Sequence, residues 1–402
     1  MKKTISLLLI FIILVLSSCS SWSIDEVSTP VGDTEALVDG KDYWDAVDLG
    51  KEYSSYSDSR EQSKLMPGAG MFLFRLYVNG DLIAYDPLHD RASYFCFDPA
   101  CTHPLEGDCI AKTLSVSHPY TYYDGYFYFA YLPKTLEQNS EGGIARVSLD
   151  GTEMKVLHKM NCWGITHLKA GGGYLYIRIQ GQNGLGRYDL ETGEYITLDK
   201  DEYYTGFSVT EGGIVLQGSP YVYFADHDLR NKQVLFEKAV VICAGDKIYH
   251  SHWDHSQDGK TIIAVRYYEY DIKAGEDRYL HTEKGAYGRL HCADEKFLYF
   301  SPKAGTTALF PTGGIINRID VATGECRKVF EDTRLHIVEL HSIDGKLYAA
   351  MRNAGGYKSW LPGILNEKGT IYGKLVDEDN DGMYEFIPFE WDGSEIGYDL
   401  IG

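Results

Sequence analysis

Basic residues are scarce in this chain. Its 402 residues include 38 Lys and Arg against 58 Asp and Glu, so the formal net charge is −20 at pH 7. A chain without a basic patch cannot release the counterions of a phosphate backbone, so we expect no nucleic-acid partner. The same charge disfavours binding to anionic lipid headgroups, so attachment to a membrane would need another kind of anchor.

Long apolar runs are also lacking. The longest one, Ile5 to Leu16, has about a dozen residues, whereas a membrane-spanning helix needs about 20. It follows Lys2 and Lys3 in the order typical of a signal peptide. It ends in LSSC, which resembles the lipobox of bacterial lipoproteins and implies acylation of Cys19. The alternative is an ordinary signal peptide followed by an incidental cysteine.

These features predict three segments. Residues 1–18 are a lipoprotein signal peptide, residues 19–66 are the lipidated cysteine and a flexible acidic tether, and residues 67–402 are the folded domain. We expect a monomer on the outer side of the cytoplasmic membrane, or on the outer membrane in a Gram-negative cell. The lipid anchor is then its contact with the membrane.

Helical periodicity is nearly absent, whereas Tyr (32 residues) and Gly (42) are abundant. A turn followed by an aromatic strand recurs along the chain, as in DGYFYF from Asp124, GGYLYI from Gly172 and DGKLYAA from Asp344. Many copies are followed by a strand, an Asp/Gly turn and a returning strand, as in RYDLETGEYITL from Arg187. Such hairpins predict an all-β fold, a β-propeller with about seven four-stranded blades; six or eight blades, or an open β-sandwich array, are the alternatives.

The predicted blades begin near residues 68, 114, 159, 203, 240, 286 and 335. The repeats, with the lipobox and the tether, resemble bacterial β-propeller lipoproteins of the DUF5050 and YWTD-like repeat group. The resemblance covers most of residues 68 to 396 and implies a propeller fold and a place at the cell envelope. It implies little about activity.

Four metal-ligand residue types lie close together in the first predicted blade. Cys96, Cys101, His103 and Cys109 are spaced C-x4-C-x-H-x5-C, and three thiolates with one imidazole form a donor set that tetrahedral zinc accepts. Four protein ligands would close the coordination sphere, so this zinc would be structural. A disulfide between two of the cysteines, or free thiols, remain open alternatives. The isolated cysteines Cys162, Cys243, Cys292 and Cys326 are expected to be small buried residues.

A second pattern contains three histidines. His250, His252, Asp254 and His255 match the H-x-H-x-D-H signature of metallo-β-lactamase-fold hydrolases, but they lie within a repeat strand, where that fold has no room. On a strand His250 and His252 face the same side, and with His255 they could bind a metal. Packing between blades is the alternative.

An acidic hairpin lies near the C-terminus. Asp377, Asp379, Asp381 and Glu385 occupy positions 1, 3, 5 and 9 of a loop, and the backbone carbonyl of Met383 is at position 7. Oxygen ligands in a tight turn suit calcium, and the loop resembles the calcium-binding hairpins of integrin-type propellers. A solvated acidic turn is the alternative.

No nucleophile elbow, phosphate loop or acid/base pair is evident, and no organic cofactor is expected. The sequence therefore favours a non-catalytic binding or scaffold module for a glycan, peptide or protein ligand. The alternative is a surface polysaccharide lyase or glycosidase with a metal-assisted site near His250, His252 and His255. A fold alone does not decide between these functions.

Overall fold

The computed structural model describes a set of strands and their connections over most of the second half of the chain and over shorter pieces before it. The described residues are 66–68, 71–75, 82–86, 91–94, 120–131, 143–148, 153–160, 165–179, 181–285, 287–303, 314–343, 345–353, 370–391 and 394–396. No helix in these ranges is both long and apolar enough to cross a membrane. The predicted signal peptide, with Cys19, and the predicted tether up to residue 65 lie outside them, whereas Met66, the last residue of the predicted tether, begins the first strand.

The described strands form consecutive antiparallel sheets, which we number 1 to 7 in chain order. Sheets 1 to 6 have four strands and sheet 7 has five, and within each sheet every strand pairs with the next one along the chain. Sheet 1 comprises β1 (Met66–Gly68), β2 (Met71–Arg75), β3 (Leu82–Asp86) and β4 (Arg91–Tyr94). Sheet 2 comprises β5 (Tyr120–Tyr123), β6 (Tyr126–Tyr131), β7 (Gly143–Ser148) and β8 (Met154–Lys159). Sheet 3 comprises β9 (Ile165–Gly171), β10 (Tyr174–Ile179), β11 (Leu185–Asp189) and β12 (Tyr195–Leu198).

The later sheets follow the same plan. Sheets 4 and 5 comprise β13 (Gly206–Thr210), β14 (Gly213–Gln217), β15 (Tyr221–Ala225), β16 (Gln233–Glu237); β17 (Val240–Ala244), β18 (Lys247–His255), β19 (Ile262–Asp271) and β20 (Glu276–Lys284). Sheets 6 and 7 comprise β21 (Tyr287–Ala293), β22 (Phe297–Lys303), β23 (Gly314–Asp320), β24 (Cys326–Asp332); β25 (Leu335–Ile343), β26 (Lys346–Asn353), β27 (Thr370–Val376), β28 (Glu385–Trp391) and β29 (Ser394–Ile396).

Two-residue turns join the first two strands of several sheets, as the recurring turn motif predicts. Asp124 and Gly125 have φ values of +48° and +78°, and they connect the paired residues Tyr123 and Tyr126. Positive φ at both central residues matches the twist of the two flanking strands, which is why Asp-Gly recurs at this position. The local sequence therefore fixes where each hairpin turns.

The core lies between neighbouring sheets and is built largely from aromatic and branched residues. Tyr267 of sheet 5 packs against Phe300 of sheet 6 with ring centroids 4.6 Å apart, and Tyr176 of sheet 3 contacts Phe207 of sheet 4 at 6.5 Å. All four side chains are fully buried. Aromatic residues therefore fill the space between neighbouring sheets at these positions.

The sheets follow one another around an axis. The first strand of each sheet contacts the first strand of the next, from β1 and β5 through to β21 and β25. Sheet 1 also meets sheet 7, where Tyr85 of β3 stacks on Phe389 of β28 with centroids 3.7 Å apart and an angle of 18° between the rings. The fold is an all-β propeller, as predicted.

The two faces of the propeller differ in the length of their connections. Because the strands alternate in direction, the connections from second to third strand, and from fourth strand to the next sheet, start and end on one face, which we call the loop face. These include 95–119, 132–142, 304–313 and 354–369. The longest connection between strands on the opposite face is 377–384. The longest connections therefore join strand ends on the loop face.

Replacing Phe389 with alanine is expected to destabilise the protein by about 3–5 kcal/mol, because it opens a cavity where the first and last sheets meet. The measurement is urea unfolding followed by circular dichroism. As a control, Tyr279, which is 55 % exposed on β20, should change stability by less than about 0.5 kcal/mol on replacement by alanine. Equal losses for the two variants would contradict a packed junction between sheets 1 and 7.

Candidate functional site

The two strand histidines of the H-x-H-x-D-H pattern come together on β18. Their alternate spacing places both side chains on one face, and His250 Nδ1 lies 3.0 Å from His252 Nε2. The second ring nitrogen of His250 lies 2.9 Å from Asp277 Oδ1 on β20. His255 is exposed beyond a register shift between Asp254 and His255, and it joins no three-ligand group in the described residues.

His250 is a packed residue at the boundary between sheets 4 and 5. Its ring is 1 % exposed and lies between Phe236 of β16, at 3.9 Å, and Tyr268 of β19, at 5.1 Å. Burial lowers the pKa of His250 from 6.5 to about 4, although Asp277 opposes the shift. A neutral imidazole donates from one nitrogen and accepts at the other, which matches donation to Asp277 and acceptance from His252. Both nitrogens are therefore engaged in hydrogen bonds, and the ring is not open to solvent.

The acidic hairpin has one carboxylate oxygen that no described residue satisfies. Oδ2 of Asp377 accepts a hydrogen bond from the Gly382 backbone at 3.1 Å, and Oδ1 of Asp381 accepts one from the Met383 backbone at 2.7 Å. Oδ1 of Asp377 is buried without a hydrogen-bond partner among the described residues. The Asp379 and Glu385 side chains are exposed. The aspartates form no three-ligand group within 4.8 Å here.

Two tyrosines at the loop face combine exposure with a fixed position. Tyr203, in the connection before β13, is 48 % exposed, and Tyr221, at the start of β15, is 38 % exposed. The buried Arg178 guanidinium donates to the Tyr203 hydroxyl at 2.8 Å and to the Tyr204 carbonyl at 2.5 Å. It also donates to the Thr166 hydroxyl at 2.7 Å. Arg178 therefore anchors the connection that carries Tyr203 to the ends of two strands of sheet 3.

The Tyr203 and Tyr221 segments are neighbours. A Cβ built on Gly218 would lie 3.2 Å from the Tyr221 carbonyl oxygen and 3.9 Å from that of Tyr203. The Tyr221 ring packs edge-on against Tyr223 at 6.2 Å. Flat apolar rings with polar edges, held on strand ends, suit contact with a sugar ring or a protein side chain. We call Arg178, Tyr203 and Tyr221 the tyrosine patch.

Charged side chains lie on the first strands of two sheets, and a buried tyrosine lies on the first strand of a third, close to the propeller axis. Lys169 of β9 and Glu339 of β25 interact electrostatically, and Glu339 lies 3.7 Å from His341 of the same strand. Burial lowers the pKa of Lys169, and Glu339 opposes that shift. Burial raises the pKa of Tyr120 on β5, with further contributions from Tyr372 and Glu339. Sequence reasoning missed these groups, although charged residues inside otherwise apolar first strands were a visible signal.

The predicted cysteine sites have different outcomes. Cys19 and the cluster of Cys96, Cys101, His103 and Cys109 lie outside the described residues, as does Cys162. Cys243 and Cys292 are buried and unpaired, as expected of isolated cysteines in strands. Cys326 differs, because it is only partly buried and lies beside a histidine and a glutamate of the neighbouring sheet.

Comparison with known proteins gives similarity in fold only. No family model matches the chain, and no curated protein matches it. The β-propeller domain of the Trilobed protease from Pyrococcus furiosus is similar with a TM-score of 0.47 and 11 % identity, over 86 % of this chain and 98 % of that one. A prolyl endopeptidase is similar with a TM-score of 0.46 and 13 % identity, over 71 % of this chain and 45 % of that one. PorZ, a surface component of the type-IX secretion system of Porphyromonas gingivalis, is similar with a TM-score of 0.45 and 12 % identity, over 85 % of this chain and 40 % of that one.

The chain spans less than half the length of the prolyl endopeptidase, and it spans 46 % of a post-proline cleaving enzyme from Rickettsia typhi that it also matches. At such identities and TM-scores, the activities of these proteins do not carry over to this chain.

The stability of the protein is expected to fall as the pH decreases from about 6.5 to about 4, because the unfolded chain takes up a proton at His250 that the folded chain rejects. A histidine whose pKa falls from 6.5 to about 4 accounts for about 3 kcal/mol of this loss, which is complete near pH 4. His250→Gln should remove that part of the pH dependence in urea unfolding. The pKa of His252 is also lowered, so a smaller dependence should persist.

The exposed His255 provides the control, since His255→Gln should behave as the wild type does. A His250→Gln variant with an unchanged pH dependence would show that His250 is not buried in its neutral form.

Proposed function

We propose that this chain is a non-catalytic binding or scaffold module, a monomeric propeller held by a lipid at the outer surface of a bacterial membrane. The observation that carries the binding role is the tyrosine patch. It places two partly exposed rings, one at a strand end and one in a connection, on the face whose connections are longest, and a buried arginine fixes one of them. The ligand class is a glycan, peptide or protein.

We propose that the propeller has seven blades, each formed by one of the seven sheets. The sheets begin at residues 66, 120, 165, 206, 240, 287 and 335, close to the starts that the repeats predict. Contacts run from each first strand to the next, and Tyr85 and Phe389 join sheet 1 to sheet 7. A ring of six blades would leave one four-stranded sheet outside the circle.

The membrane anchor is proposed from residues 1–19 alone. A positive start, an apolar run of about a dozen residues and LSSC support lipidation of Cys19, and two or more acyl chains would give stable attachment. The resemblance to bacterial propeller lipoproteins supports the same location. The cluster of Cys96, Cys101, His103 and Cys109 stays a prediction of a structural zinc or a disulfide, in a segment that joins strand ends on the loop face.

The packing of His250 argues against the enzyme alternative. A metal-assisted hydrolase or lyase needs imidazole nitrogens that converge on a space open to substrate. His250 is stacked between two aromatic rings with both nitrogens engaged, and His255 lies apart from it. These contacts favour the packing interpretation of the histidines and hence a binding module.

We also propose that the acidic hairpin binds calcium. The unsatisfied Oδ1 of Asp377 supplies a buried acceptor at the first ligand position. A cationic neighbour is already present, since a Cβ on Gly382 would lie 2.8 Å from Nη1 of Arg327. Arginine could therefore balance part of the negative charge, and calcium would add its free energy of binding to that interaction.

Calcium is expected to raise the thermal unfolding temperature of the wild type, because only the folded hairpin gathers its ligands. At a concentration about 100 times Kd the stabilisation would be about 2.7 kcal/mol. Asp379→Asn should lose most of this effect, whereas Glu378→Gln, the adjacent exposed carboxylate at a non-ligand position, should keep it. Differential scanning calorimetry with and without calcium measures both. No shift in the wild type, or equal loss in both variants, would contradict the site.

The binding role is tested with a panel of bacterial cell-wall and plant polysaccharides and a peptide library, followed by calorimetry on whatever binds. Tyr203→Ala and Tyr221→Ala should each weaken that binding at least about tenfold, since aromatic side chains at the centre of an interface commonly contribute this much. Tyr279→Ala, an exposed tyrosine on the outer strand of sheet 5, is the matched control and should leave affinity unchanged. Equal effects at all three positions would remove the tyrosine patch as the binding site.

A further inference from the structure

Three different metal-ligand side chains meet at the outer edge of sheets 5 and 6. His281 and Glu283 lie two residues apart on β20, so their side chains share one face, and His281 Nε2 is 3.6 Å from Glu283 Oε2. Cys326 is the first residue of β24. The imidazole nitrogen, carboxylate oxygen and Sγ lie within 4.8 Å of one another, the one such group among the described residues.

The approach of a tight turn to β20 brings Cys326 into this group. Gly324 has a φ of +75°, and a Cβ at that position would lie 2.5 Å from the Leu280 carbonyl oxygen. Only a glycine permits so close a contact, so the turn of sheet 6 packs directly on the strand that carries His281. Cys326 follows two residues later and faces the core between the two sheets. The cluster is therefore a product of the way two sheets pack.

A buried hydroxyl beside the cluster lacks a hydrogen bond. Tyr267 of β19 pairs directly with His281 of β20, and its side chain is fully buried. The hydroxyl has no hydrogen-bond partner among the described residues. Directly paired residues of neighbouring strands point to the same side, so the Tyr267 side chain shares one face of sheet 5 with His281 and Glu283. A buried donor left without an acceptor is unfavourable, and a carboxylate oxygen would satisfy it.

We propose that His281, Glu283 and Cys326 bind a zinc ion that ties the outer strands of sheets 5 and 6 together. A mixed nitrogen, oxygen and sulfur set suits zinc, whereas calcium and magnesium take oxygen ligands. Tetrahedral zinc with bonds of about 2.0–2.3 Å holds its donors about 3.3–3.6 Å apart, so small side-chain shifts complete the site. All three residues are partly exposed, which leaves a path for the ion and a fourth position for water.

The Tyr267 hydroxyl is assigned a positioning role. It would donate to the Glu283 carboxylate and hold that ligand in place, as groups behind metal ligands commonly do. The zinc bridge between β20 and β24 would then fasten the outer strands of two sheets to each other. This zinc is separate from the one predicted at Cys96, Cys101, His103 and Cys109.

The test measures zinc and cobalt binding to the purified full-length protein. Zinc per chain should fall by one equivalent in Cys326→Ser and in His281→Ala. It should stay unchanged in the matched controls, Cys243→Ser on the first strand of sheet 5 and His158→Ala on sheet 2. Cobalt bound at this site should give a thiolate charge-transfer band that survives replacement of Cys96, Cys101 and Cys109 by serine and disappears when Cys326→Ser is added. Tyr267→Phe should weaken zinc about tenfold or more without lowering the stoichiometry.

Zinc should also raise the unfolding temperature of the wild type more than that of Cys326→Ser. This comparison distinguishes a variant that has lost the zinc site from one that is only less stable. Circular dichroism in the presence of a chelator checks that the variants are folded. Unchanged stoichiometry in both Cys326→Ser and His281→Ala would overturn the proposal. So would a cobalt–thiolate band that depends on Cys96, Cys101 and Cys109 alone.

Discussion

The packing of aromatic side chains between neighbouring sheets is the interaction on which this propeller depends. Each four-stranded sheet carries apolar residues on both faces, so both faces must be covered by neighbouring sheets to exclude water. Tyr267 against Phe300 and Tyr176 against Phe207 are two instances between consecutive sheets. The stack of Tyr85 on Phe389 does the same for the first and last sheets. A closed ring meets this requirement because it gives every sheet two neighbours.

The same constraint determines which polar groups are available for function. His250 lies on a strand face that packs against a neighbouring sheet and is shielded from solvent. Its two hydrogen bonds compensate for burial, as a polar group in a core requires. Polar groups at strand ends and in the connections stay in contact with water, so they need no such compensating hydrogen bonds. Tyr203 and Tyr221 stay partly exposed there, which is why the binding role is assigned to the loop face.

Polar clusters at the boundary between sheets can instead stabilise the ring. A metal ion bound by side chains from two neighbouring sheets would supply a strong local contact between them. His281, Glu283 and Cys326 have the donors for it, and the acidic hairpin at Asp377 has the oxygen ligands for a different ion. Both sites would strengthen the scaffold, and the binding surface would remain separate from them.

The sequence by itself determined the hairpins, because an Asp-Gly turn such as Asp124–Gly125 and alternating aromatic residues act over a few neighbouring positions. It also predicted that strand residues Cys243 and Cys292 would be buried, since an isolated cysteine in an apolar strand behaves as a small hydrophobe. Only the tertiary structure decided that Phe236 stacks on His250, that Arg178 fixes Tyr203 and that Cys326 meets His281. These residues are far apart in the chain or on different sheets, and their contacts depend on how twisted sheets pack side by side. Periodicity within one strand carries no information about that packing.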